Sequence, residues 1–131
     1  MNNKLDKILA EISAGELIDK ITILEIKKLK IQNQAKLNEI NRELQSLKKT
    51  FEHFIPDPSL INVHIDKLKE INLKLWDIED GKRLCEKNND FGDKFVSFAR
   101  NVYKFNDQRA KIKLVINETL GSNIKEVKSY E

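Results

Sequence analysis

The feature that most constrains this fold is an apolar repeat with alternating steps of three and four residues. This spacing is typical of a coiled-coil seam. The pattern continues an apolar run that starts near Leu17, so the sequence predicts one helix over residues 14–54. A helix of about 40 residues is roughly 60 Å long and needs partner helices along its apolar stripe. The seam residues are Leu37, Ile40, Leu44, Leu47, Phe51 and Phe54.

The limits of this first helix follow from local signals. Ser13 and Glu16 match a capping box, in which the serine hydroxyl accepts from the Glu16 amide and the carboxylate returns to the Ser13 amide. Pro56 restricts the residue before it, so the helix has to end by about Phe54.

Two further helices are predicted. Asp57-Pro58 is an N-cap residue followed by proline, which starts a helix over 58–88. The next helix, over 93–120, meets Gly121 where a left-handed cap belongs. The predicted fold class is therefore all-α, with a long antiparallel hairpin and a third helix forming a three-helix bundle in a single domain, 1–131.

The two tails are candidate short β-strands. Residues 7–12 fit either a strand or a helical turn, and we favour a strand. Residues 123–130 carry Ile124 and Val127 and are predicted to be extended. Two such strands could pair with each other or with a second copy.

Charge and cysteine content limit the class of protein. The net charge of +3 comes from 24 basic and 21 acidic residues that are finely interleaved. A nucleic-acid module usually concentrates its positive charge, so we expect no nucleic-acid partner. The single cysteine, Cys85, excludes an intrachain disulfide and fits a reducing compartment. No signal peptide and no apolar run of about 20 residues is visible, so we expect a cytoplasmic protein without a membrane partner.

The sequence offers no catalytic or metal centre. Its histidines, His53 and His64, lie beside the proline turn and do not follow a glutamate at the spacing of a di-iron site. Together with Cys85 they are too few and too distant for zinc. There is no glycine-rich phosphate loop. We therefore predict no catalytic residues, no cofactor and no metal, and a non-enzymatic protein.

Helix length predicts a self-association surface. The first helix exceeds the other two by about ten residues, which leaves residues 17–26 without an intrachain neighbour. A wide, unpartnered apolar surface indicates an interface, and the simplest partner is a second copy related by a twofold axis. The alternative is that the terminal segments fold back over it. The residues predicted to associate are Leu17, Ile18, Ile21 and Leu24.

A polar stripe accompanies the apolar face of the third helix. Asn106, Arg109, Lys113 and Asn117 follow helical spacing. In one interpretation, arginines pair with Asp77 or Asp80 across helices and fix their register. In the other, Arg100, Arg109 and Lys113 form an anion pocket.

The chain resembles an uncharacterised bacterial helical family of unknown function. The resemblance is carried by segments 13–27 (SAGELIDKITILEIK), 75–80 (LWDIED), 90–92 (DFG), 99–103 (ARNVY), 106–110 (NDQRA), 120–122 (LGS) and 126–130 (EVKSY). It implies an all-helical fold but no activity. It also implies that the polar positions in these segments belong to the family pattern, and this ranks them above other surface charges as ligand- or partner-binding candidates. Those positions are Asp19, Lys20, Glu25, Trp76, Asp77, Asp80, Arg100, Asn106, Asp107 and Arg109, to which the stripe adds Lys113.

The function predicted from these features is a helical interaction or scaffold protein. It would form a homodimer through its proximal end, which holds residues 17–26 and the polar cluster, and it could present that cluster to a protein partner. The alternative is a binding protein for an anionic small molecule, or a small enzyme with an interhelical Arg/Lys pocket. The helical chorismate mutases are a fold-level analogue of that alternative.

Overall fold

The computed structural model describes residues 4–128, which form four α-helices. Helix α1 spans Ala14–Lys30, α2 spans Gln34–Phe54, α3 spans Asn62–Lys87 and α4 spans Asp93–Leu120. The all-α class is confirmed. The three-helix bundle is wrong, because the structure has two helices where one was predicted over 14–54. None of the described helices is long and apolar enough to cross a membrane.

The break between α1 and α2 lies at residues 31–33. Ile31 has extended backbone angles (φ −91°, ψ 134°), although its amide still donates to the Lys27 carbonyl at 2.9 Å. Asn33 begins the next helix, since its side-chain oxygen accepts from the Lys36 amide at 3.0 Å. Asparagine is among the best N-cap residues. A three-residue connection therefore turns the chain back, and α2 packs on α1.

This reversal buries the centre of the coiled-coil seam against α1. Ile40 and Leu44 of α2 form one apolar cluster with residues of α1, and Leu47 and Phe51 pack at its edge. Phe54, at the end of the seam, stays 73% exposed. Two shorter helices cover apolar surface that a single long helix would leave in water. The residues that α1 contributes to this apolar cluster are Leu17, Ile21 and Leu24.

A second apolar cluster lies on another side of α1. It joins Ile18 of α1 to the start of α3 and the end of α4, through Ile61, Leu68 and Ile116. Among the described helices, α1 is the one that packs against all three others. A helix that is apolar on more than one face belongs in the interior, and this position accounts for the wide apolar surface of α1.

The surface predicted for self-association is consequently not available. Leu17, Ile18, Ile21 and Leu24 are 5%, 2%, 9% and 4% exposed because α2, α3 and α4 cover them. The premise that residues 17–26 lack an intrachain neighbour does not hold. The homodimer itself stays a prediction, and it needs a different surface.

The bundle has two unlike ends. We define the terminal end as the start of α1 and α3 and the end of α2 and α4, where Pro56, Ser13 and Leu120 line one cavity. At the hairpin end, α3 and α4 are joined through residues 88–92. Lys30, the last residue of α1, lies 3.8 Å from Asp77, so the last ten residues of α3 extend past α1.

The connection into α3 and the tails differ from expectation. Asp57 accepts from the Ser59 amide at 3.1 Å and closes a turn, and α3 begins four residues after Pro58. Within the described chain, residues 4–12 and 124–128 form neither helix nor strand, while residues 129 and 130 of the predicted C-terminal tail lie outside it. Gly121 has φ 64° and ψ 44°, the left-handed cap that the sequence predicts.

Candidate functional site

The polar stripe of α4 lies against α1. Its Arg109, Lys113 and Asn117 face Gly15, Glu16 and Asp19, so the contact joins the start of α1 to the second half of α4. Lys113 is 7% exposed and Asn117 1% exposed. Such burial is unusual for these residue types and requires that their polar atoms be bonded.

Asp19 is the centre of this contact. Its side chain is 1% exposed, and it accepts from Nε of Arg109 at 3.0 Å, with a second, very close contact from Nη2. This fork-shaped pairing is the strongest form of ion pair. The hydrogen bond to Asp19 raises the pKa of Arg109 further, so the guanidinium stays charged. Arg109 was expected to pair with Asp77 or Asp80, and the structure pairs it with Asp19 instead.

Asn72 connects the pair to α3. Its Nδ2 donates to Oδ1 of Asp19 and to Oγ1 of Thr22, both at 2.9 Å. The Thr22 hydroxyl in turn donates to the Asp19 carbonyl at 2.8 Å. Sequence reasoning missed Asn72. The signal was a lone asparagine at apolar spacing beside Leu68 and Leu75, the pattern of a buried register-setting residue.

Lys113 bridges three carboxylates. Its Nζ lies 2.6 Å from Glu16, 3.0 Å from Glu126 and 3.8 Å from Asp19. Burial alone would lower the pKa of this ammonium, but the hydrogen bonds to Glu16 and Glu126 and the charge of Asp19 raise it overall. Glu16 was expected to return to the Ser13 amide as part of a capping box. Its carboxylate instead contacts Lys113 and Lys20, while Ser13 keeps its half of the motif by accepting from the Glu16 amide at 3.1 Å.

The start of α1 is held against the end of α4 at very short range. The Gly15 amide donates to Oδ1 of Asn117 at 2.6 Å, and the Ala14 amide donates to the Ser122 hydroxyl at 3.1 Å. A Cβ atom on Gly15 would lie 2.6 Å from the Lys113 carbonyl oxygen. Glycine is therefore required by this approach. We call the whole set the buried polar network: Gly15, Glu16, Asp19, Thr22, Asn72, Arg109, Lys113 and Asn117.

The charge of Glu126 gives a pH prediction. Hydrogen bonds from Lys128 and then Lys113 lower its pKa from 4.5 to about 2. A carboxyl with a lowered folded-state pKa contributes stability that is present above its unfolded pKa and lost as pH falls. We expect the contact between Glu126 and Lys113 to weaken as pH falls from 4.5 towards 2, as followed by an NMR titration of the Glu126 carboxyl.

The same titration, applied to two lysine variants, tests which contact lowers the pKa of Glu126. Lys128→Met is expected to raise the pKa of Glu126, because it removes the largest contribution to the shift. Lys125→Met is the matched control, since Lys125 is not among the groups that shift this carboxyl, and it should leave the pKa unchanged. An unshifted Glu126 in the unmodified protein would contradict the contact.

Other predicted site residues form surface ion pairs. Lys20 lies 3.6 Å from Glu16, and Asp77, which is 70% exposed, lies 3.8 Å from Lys30. Glu25 lies 3.8 Å from Lys48 of α2 and 3.9 Å from Lys69 of α3. Exposed pairs of this kind stabilise a fold by about 0–1 kcal/mol each. The pair of Lys20 and Glu16 lies within α1, and the others are solvated links between helices rather than a site.

The predicted anion pocket is not assembled. Arg109 and Lys113 are already paired with carboxylates, and Arg100 lines a separate depression with Asp93 and Lys104. Nine helical residues between Arg100 and Arg109 correspond to roughly 13 Å. Asp107 is half-buried and is not part of the buried polar network.

The remaining candidates line a groove between α1, α3 and α4. The Trp76 groove has a volume of about 390 Å³ and contains Trp76, Asp80, Asn106 and the outer edge of Arg109. It also includes Arg83, which sequence reasoning did not select. The other lining residues are Ile23, Ile26, Asn72, Leu75 and Glu79.

The chemistry of the buried polar network is that of a clamp. Every buried side-chain nitrogen and oxygen within residues 4–128 has a hydrogen-bond partner, as a polar contact inside a helical bundle requires. Over the same residues, no three His, Cys, Asp or Glu side chains are grouped so that they could hold a metal ion.

The comparisons with known proteins assign the chain to a family. No curated protein and no solved structure is significantly similar to this chain. A sequence profile, however, matches residues 8–131, which is nearly the whole chain and includes every element of the buried polar network. The chain therefore belongs to the family described as Family of unknown function (DUF6165).

Proposed function

We propose that the protein is a non-enzymatic helical interaction protein that self-associates through its terminal end. The contacts of Asp19 support a structural role for the buried polar network, because Arg109 and Lys113 of α4 both pair with this one carboxylate of α1. A scaffold requires such rigidity, since a clamp between α1, α3 and α4 fixes the surface that the bundle presents.

The observation that carries the proposal is the N-terminal arm, residues 4–12. Leu5, Ile8 and Leu9 are 82%, 81% and 88% exposed, in a segment without regular structure that precedes the first helix. The backbone hydrogen bonds between described residues do not include this segment. An exposed run of large aliphatic side chains is typical of an interaction site.

The terminal end also offers a place to receive such an arm. A cavity of about 890 Å³ lies between the root of the arm and the ends of α2 and α4, and Leu17, Phe54, Ile55 and Leu120 are among its lining residues. Because the donor and the receiver occur on the same end of one chain, two copies can exchange arms around a twofold axis. Nine extended residues span up to about 30 Å, which is enough to reach across such an interface.

The free energy gained by burying the side chains of two arms is comparable to the cost of forming a dimer. Burying one Leu or Ile side chain stabilises by about 1.5–3 kcal/mol, so six of them in two arms contribute roughly 9–18 kcal/mol. Association costs roughly 4–15 kcal/mol. A dimer of micromolar stability therefore needs most of the apolar surface of both arms to be covered.

The test is the mass of the particle in solution. Light scattering at micromolar concentration is expected to give a dimer, and Ile8→Glu combined with Leu9→Glu is expected to give a monomer. Leu29→Glu is the matched control, because Leu29 is 71% exposed but lies at the far end of α1. It should remain dimeric.

Circular dichroism should show the same helix content in all variants, since the arm lies outside the helices. A strict monomer at micromolar concentration would contradict the proposal. A dimer that survives the double arm substitution would place the interface elsewhere.

We also place the protein in the cytoplasm. The support is its single cysteine, Cys85, which is buried and free. A protein that uses no disulfide fits a reducing compartment.

A further inference from the structure

The Trp76 groove combines an apolar wall with charged groups. Ile23 of α1 and Leu75 and Trp76 of α3 are half-buried and supply aliphatic and aromatic surface. The volume of about 390 Å³ is within the range of small-molecule sites. Ligand sites of this kind pair an apolar body with a few polar groups that fix orientation.

Some of the charged side chains around the groove have a partner within the chain and others do not. Arg109 is bound to Asp19 and donates to Asn106 at 3.3 Å, and Glu79 lies 3.4 Å from Lys82. Asp80 and Arg83 have no oppositely charged partner within 4.0 Å among residues 4–128. The groove thus has one free negative and one free positive group.

These two groups are placed to act together. Residues three apart on a helix share a face, with Cβ atoms about 5–6 Å apart. Asp80 and Arg83 can therefore reach two charges of one small molecule while its body lies against Trp76. A dianion would meet one free cation beside the carboxylate of Asp80, and like charges at such range disfavour binding.

We infer that the Trp76 groove binds a zwitterion of amino-acid size with an apolar side chain. The Arg83 guanidinium binds its carboxylate through two parallel N–H donors, a geometry that arginine favours. The Asp80 carboxylate accepts from its ammonium group. Trp76 and Leu75 cover its apolar body.

Trp76 provides the measurement, because it is the single tryptophan of the chain. L-leucine is the probe, and titration is expected to change the tryptophan emission in a saturable way. N-acetyl-L-leucine lacks the ammonium group and L-leucinamide lacks the carboxylate. Asp80 and Arg83 are solvent-exposed, and each analogue is expected to bind at least about tenfold more weakly because it loses one hydrogen bond to a charged group of the groove.

Three variants assign the roles. Asp80→Asn and Arg83→Gln are each expected to weaken L-leucine binding by about tenfold or more. Arg100→Gln removes the same charge from α4 outside the groove and should leave binding unchanged. Circular dichroism of each variant verifies that the fold is intact.

Several results would overturn the inference. Equal binding of L-leucine, N-acetyl-L-leucine and inorganic phosphate would identify an anion site, and equal binding of L-leucinamide would identify a cation site. An emission spectrum that does not respond to millimolar L-leucine would show that the groove takes no such ligand. The dimer is proposed at the terminal end of the bundle and is measured by light scattering, whereas ligand binding is measured by the emission of Trp76. Either proposal can therefore fail without the other.

Discussion

Asp19→Asn is expected to lower the free energy of unfolding by about 3–5 kcal/mol, the range for removing one partner of a buried ion pair. The substitution keeps the shape of the side chain but removes its charge. Arg109 and Lys113, whose side chains are 29% and 9% exposed, would then lack the carboxylate between them. Urea denaturation followed by circular dichroism measures the change.

Asp77→Asn is the matched control. It removes the same charge from α3, but Asp77 is 70% exposed and 3.8 Å from Lys30. We expect an effect within about 0.5 kcal/mol. A double-mutant cycle of Asp19→Asn with Arg109→Gln should show a coupling of about 0.5–3 kcal/mol, as for residues in contact. Equal effects of Asp19→Asn and Asp77→Asn would contradict the buried polar network.

Some local signals predicted the fold and others did not: Asp57-Pro58 closes a turn, and α3 begins only at Asn62. Gly121 indicated a left-handed cap, and Gly121 adopts one. The break at residues 31–33 was missed because it contains neither glycine nor proline, although steps of four and three residues back from Leu37 reach Asn33 and Lys30, where the apolar repeat is interrupted. Asn33 was the available signal, but a single N-cap residue weighs little against a long repeat. Tertiary packing favours the break, because α2 folds back and covers apolar residues of α1.

The sequence predicted which residues of α4 belong to the candidate site, but it did not predict the residues with which they pair. The stripe that includes Arg109 and Lys113 was visible from spacing, and its carboxylate partners were not. Pairing depends on which face of α4 lies against α1 and which lies against α3, since α4 packs on both helices. Asp77 and Asp80 lie on the outer part of α3, while Asp19 of the central helix lies opposite Arg109. Contacts between segments about 90 residues apart require the topology.

Gly15→Ala is expected to lower the free energy of unfolding by about 1–3 kcal/mol, although alanine favours a helix over glycine by about 1 kcal/mol. The added Cβ would lie 2.6 Å from the Lys113 carbonyl oxygen and 3.0 Å from Oδ1 of Asn117. The first of these is a backbone atom inside α4 and cannot move alone. The start of α1 would have to shift outward, which lengthens the hydrogen bond from the Gly15 amide to Asn117.

Gly92→Ala separates this contact from a general effect of glycine. A Cβ there would meet only Oδ1 of Asp90, at 3.6 Å, which is ordinary contact. The two variants should therefore differ by more than about 1 kcal/mol in urea denaturation. If Gly15→Ala instead stabilises the protein as helix propensity alone predicts, α1 and α4 do not approach as closely as the buried polar network requires. A loss that Gly15→Ala shares with Asn117→Ala, and that is less than additive in the double variant, would assign the cost to this one contact.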